Sequence, residues 1–176
     1  MKSHTLLSLL LFMGLAQTAF ADQRLSYVDG SEPFLLINDA NRQGEAWGIC
    51  AAAYEIMSAL MESGSAQAQQ YKNLSNGASL AVVMTHVSKG LSSDMSQDSF
   101  NALWNYSKTL ADSVPEVQKT MILADAESLG ESGKGQFIER LGATVKVCVN
   151  NLDGQQTYVD TWRELAKSGL IQVPNE

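Results

Sequence analysis

Apolar positions recur along this chain at intervals of three and four residues, the spacing that puts side chains on one face of a helix. The clearest run is Trp47 to Met61, where Trp47, Cys50, Tyr54, Met57 and Met61 form one stripe. The pattern starts at Gly44 and Glu45 and ends near Glu62, Ser63 and Gly64. A second helix is expected from about Ser65 to Lys89-Gly90, with Tyr71, Leu74, Ala78, Ala81 and Thr85 on its stripe. Ser75-Asn76-Gly77 interrupts it with poor helix formers, so a kink or a division is expected there. A third helix covers about Gln97 to Ser113, carrying Phe100, Leu103, Trp104 and Leu110. Pro115 disfavours the helical region at Val114 and predicts a boundary, with a fourth helix continuing to Leu129.

Gly130 to Gly135 reads as a loop. Phe137, Leu141, Val145, Cys148 and Leu152 mark a further helix, Asp153-Gly154 a turn, and Gln155 to Lys167 a last helix. Phe34 to Ile37, after Pro33, is either an extended segment or one helical turn, since four residues show no period. Period-2 alternation is almost absent. The expected fold is all-α: a single-domain bundle of five or six helices.

The two cysteines lie in matching stripes about 100 residues apart. Paired, Cys50 and Cys148 would join an early helix to a late one. There is no Cys-x-x-Cys, so the expected disulfide is structural rather than redox-active.

Residues 1–21 have a basic start at Lys2, a ten-residue apolar run and Ala19-Phe20-Ala21. This is the pattern of a cleaved signal peptide and is too short for a membrane span, which needs about 20 apolar residues. The expected mature chain is residues 22–176, periplasmic or else secreted, and not inserted in a membrane. It carries eleven basic and nineteen acidic residues, a net charge of −8. That balance argues against nucleic acid and anionic lipid surfaces as partners.

Chemistry-bearing motifs are weak. Gly130 to Gly135 fails as a phosphate loop: position 128 is Ser, Lys134 precedes Gly135, and no strand leads into it. His86 is the single histidine after residue 21, too little for a metal site, and there is no haem-attachment motif. No nucleophile elbow is present. Asp94 with Asp98, and Asp125 with Glu127, read as solvated acids. No cofactor is expected.

Trp47, Tyr54, Trp104 and Trp162, with His86, are the candidates for a ligand or partner surface, although aromatic stripes more often fill cores. The expected function is a non-catalytic protein-interaction module with another protein as partner, in specific form an immunity or inhibitor protein acting on an envelope effector. The alternative is a helical bundle binding a small molecule or lipid between its Trp, Tyr and Met residues.

Overall fold

The computed structural model describes residues 25–171. The expected signal peptide lies outside them. Five helices account for most of the described chain: α1 Ala40–Leu60, α2 Ala66–Gly90, α3 Gln97–Leu129, α4 Lys134–Val149 and α5 Leu152–Lys167. Two 3-10 turns, Phe34–Leu36 and Glu131–Gly133, complete the elements, and no strand occurs among the described residues.

Local chemistry sets most of the helix ends. Asp39, Ser65 and Ser96 cap α1, α2 and α3 by accepting from the backbone N–H of Arg42, Ala68 and Ser99. The Asp39 cap starts α1 at Ala40, four residues before the expected start at Gly44. Gly64, Gly130 and Gly169 take positive φ beyond α1, α3 and α5, a conformation that glycine adopts without the Cβ penalty.

Helix α1 is the centre of the molecule. Trp47 and the run Cys50 to Tyr54 are fully buried, so this helix is enclosed on nearly all sides. It packs on α2, α3 and α4, and Trp47 meets Tyr158 of α5 edge-on. Cys50 and Cys148 are bonded, fastening α1 to α4.

Three expectations are corrected. Ser75-Asn76-Gly77 does not divide α2, which runs unbroken from Ala66 to Gly90. The Ser75 hydroxyl donates to the Ala51 carbonyl of α1, and Gly77 touches the side-chain amide of Gln155 on α5. The poor helix formers mark where neighbouring helices press closest.

Pro115 does not end a helix either; it lies inside the 33-residue α3. The Ala111 carbonyl loses its N–H donor, yet Pro115 is buried and Gly48 of α1 leaves room beneath it. Tertiary packing outweighs a local penalty of about 3 kcal/mol.

Asp153-Gly154 is the first turn of α5, and the chain reverses one step earlier, at Asn150 and Asn151. The Asn151 side chain accepts from Phe34 N–H and donates to the Val147 carbonyl. Gly154 sits inside the helix because a Cβ there would come within 3.1 Å of Leu35 Cγ and 3.6 Å of Trp47.

The segment before α1 forms a strap. Its apolar run is a 3-10 turn, with Phe34 and Ile37 turned inward and Leu35 and Leu36 outward. Phe34 meets Trp47 edge-on at 4.9 Å.

Candidate functional site

The aromatic candidates divide by position. Trp47 and Tyr54 have no exposed surface and belong to the core, so neither forms a binding surface in this conformation. Burial pushes the Tyr54 hydroxyl well above its ordinary value of 10, and this group has no hydrogen-bond partner among the described residues. Trp104 and Trp162 are half-buried against a smaller cluster of Val83, Val87, Phe100 and Ile171, at the end of the bundle where α2, α3 and α5 meet. Phe100 and Trp104 stack.

His86 faces a groove. Its ring lies against Gly44, where a Cβ would come within 2.7 Å of Nε2, and it meets Tyr106 of α3 edge-on at 6.2 Å. Burial lowers its pKa below the ordinary 6.5, with the Asp39 carboxylate opposing the shift. The imidazole is therefore neutral at pH 7. No group of three or more His, Cys, Asp or Glu residues among those described is placed to hold a metal ion.

The groove has a volume of about 290 Å³, with Asn41, Gly44 and Glu45 on one wall and Leu110, Val114 and Val117 on the other. Its α3 wall belongs to a longer feature. Tyr106, Leu110, Val114, Val117 and Met121 follow one another at intervals of 4, 4, 3 and 4, a stripe four turns long. Tyr106, Val117 and Met121 are 56%, 55% and 61% exposed, while Leu110 and Val114 are half-buried. None of the five is charged.

Sequence reasoning missed this stripe because it ended a helix at Pro115. Divided there, Tyr106 and Leu110 belong to one element and Val117 and Met121 to another. Only the unbroken α3 aligns them.

The other edge of α3 faces a polar groove of about 460 Å³ that includes Glu55, Lys72, Asp112 and Glu116. Lys119 bonds both Glu55 and Glu116, at 2.7 and 3.0 Å.

A third arrangement corrects the reading of Asp125 as a solvated acid. Tyr27 OH donates to Oδ2 at 2.5 Å, and Arg140 Nη1 donates to both carboxylate oxygens at 2.9 and 2.7 Å. The guanidinium also covers the Tyr27 ring at 4.8 Å. The strap is thus pinned to the α3–α4 hairpin, a contact between residues 27, 125 and 140 that periodicity does not register. Asp94 and Asp98 are exposed, as is Glu127.

No protein family, curated protein or solved structure matches the chain. The geometry of the described residues is accordingly the whole basis for a functional reading.

Proposed function

We propose that this chain is an exported, non-catalytic protein-interaction module that works by presenting the apolar stripe of α3 to another protein. In its specific form it is an immunity or inhibitor protein that neutralises an effector in the cell envelope. The observation that carries the reading is the stripe itself. Tyr106, Val117 and Met121 of one helix stand more than half exposed, with half-buried Leu110 and Val114 between the first two, and exposed apolar surface of this kind marks interaction sites. The Trp and Tyr residues that would have lined a ligand pocket in the alternative reading instead fill the core or its satellite cluster. The disulfide supports export, because such bonds persist in oxidising compartments.

The test is affinity capture from envelope extract with residues 22–176 as bait, beside a Val117→Glu/Met121→Glu bait of matched thermal stability. A stoichiometric protein retained by the first bait and lost from the second is expected. Recovery of the chain alone, or with a small molecule in its native mass spectrum, overturns the reading in favour of a ligand-binding bundle.

A further inference from the structure

His86 is a polar side chain enclosed by groups that do not pair with it. It is 8% exposed, and its ring has no hydrogen-bond partner among the described residues. Gly44 brings no side chain to it, and Tyr106 meets it edge-on at 6.2 Å. A polar group buried without a partner is costly, and most such groups in proteins are bonded to something.

The unpaired imidazole lies at the groove between α1 and α3. A Cβ on Gly44 would come within 2.7 Å of His86 Nε2, and Gly44 and His86 line that groove together. Any larger residue at position 44 would crowd Nε2; glycine leaves it uncovered. Leu110, Val114 and Val117 supply the facing wall. An apolar wall, a stretch of bare backbone and one imidazole nitrogen make up the combination typical of small-molecule sites, which are mostly apolar with few polar groups.

Size and charge limit the occupant. The volume of about 290 Å³ equals that of about ten water molecules in the liquid, room for a single six-membered ring and its substituent. A neutral imidazole has one acceptor nitrogen, which takes a hydrogen bond from an O–H. No Lys or Arg among the described residues lines the groove, so an anion entering it would lose hydration without a cation in return.

We propose that the His86 groove binds a small uncharged ring compound carrying one hydroxyl, with the hydroxyl donating to the imidazole and the ring lying between Gly44 and the Leu110–Val114–Val117 wall. The proposal does not rest on the interaction reading, which is carried by the exposed stripe and tested at Val117 and Met121.

The experiment titrates phenol, toluene and benzoate separately into ¹⁵N-labelled chain 22–176 by NMR. His86 is the single histidine of that chain, so its two ring nitrogens are observed without overlap. Phenol is expected to give saturable shifts at the amides of Gly44 and of residues 110–117, and to move the His86 ring-nitrogen signals. Toluene, which has no donor, should bind about tenfold more weakly, the worth of one hydrogen bond. Benzoate should not bind. His86→Phe keeps a planar ring and should reduce phenol to the affinity of toluene; if that variant loses its fold, the ring-nitrogen signals of the wild type decide alone.

Equal affinity for phenol and toluene, unmoved ring nitrogens, or shifts that map away from the groove overturn the inference. So does benzoate binding as tightly as phenol. If extract yields a protein partner that Val117→Glu/Met121→Glu releases while phenol fails these tests, the interaction reading stands and this inference alone falls.

Discussion

Gly48 of α1 lies directly beneath Val114 of α3, so close that a Cβ on Gly48 would come within 2.5 Å of Val114 Cγ1 and 3.6 Å of the Pro115 nitrogen. Helix propensity alone would make Gly48→Ala stabilising by about 1 kcal/mol. The contact reverses the sign. Val114 is β-branched with few rotamers to retreat into, and the Pro115 backbone stands behind it. Gly48→Ala should therefore lower stability by about 1–3 kcal/mol, the usual cost of overpacking. Chemical denaturation checks this, and an unchanged or raised midpoint would mean that α1 and α3 do not meet at this distance.

The Cys50–Cys148 bond spans 98 residues, and both cysteines are essentially without exposed surface. Closing a loop of that length is worth up to ~4–5 kcal/mol in the chain-entropy model. Cys50→Ala and Cys148→Ala should lower Tm by several degrees and to the same extent, with the double variant no worse than either. Two single variants that match the wild type would show that the bond contributes nothing to stability. Because the sulfurs are enclosed, reduction by a small thiol should track global unfolding.

Tyr27 and Tyr54 make opposite predictions from the same substitution. The Tyr27 hydroxyl donates to a carboxylate, and Tyr27→Phe should cost about 1.5–3 kcal/mol, discounted toward the lower end because the site is part-exposed. Tyr54 has a buried hydroxyl with no hydrogen-bond partner among the described residues, and Tyr54→Phe should leave Tm unchanged or raise it. Burial, chiefly, holds both phenols above their ordinary value of 10, with Asp125 adding to the shift at Tyr27. The unfolded chain then releases these protons first, so stability should fall as pH rises through 10. Each Phe variant should remove its own share of that alkaline loss. A pH–stability profile that keeps its slope in both variants would rule these residues out as its source.

His86 governs the acid side. Its folded pKa is lowered from 6.5 by burial, so the unfolded state binds the proton more tightly. The sign follows: this contribution is fully present above pH 6.5 and is lost as pH falls below that value, levelling off under the folded pKa. His86→Gln should flatten this part of the profile without changing the slope above pH 7. Thermal melts between pH 4.5 and 7.5 decide it. An identical slope in wild type and variant would show that the imidazole is not held in the neutral form.

Much of the architecture was legible in the residues. The 3-4 spacing around Trp47, the matching stripe around Cys148, and the glycines at 64, 130 and 169 are signals within a few residues of one another. They specify helices and several of their ends through backbone geometry and one-sided burial. The cysteine pair was legible for a different reason, since two cysteines allow one intramolecular bond.

What only the tertiary structure decided concerns residues whose local preference is overruled by something distant in sequence. Pro115 reads as a stop, and becomes helix interior because Gly48 allows α1 to approach closely there and burial repays the lost hydrogen bond. Gly77 and Gly154 read as breaks, and are close-approach points for Gln155, Leu35 and Trp47. Asp125 reads as a surface acid, and is held by a tyrosine 98 positions earlier and an arginine on the next helix. The α3 stripe belongs to this second group. Its residues were visible individually, but their alignment exists because the helix continues through proline, and that continuation is settled by packing against α1, not by the chain around position 115.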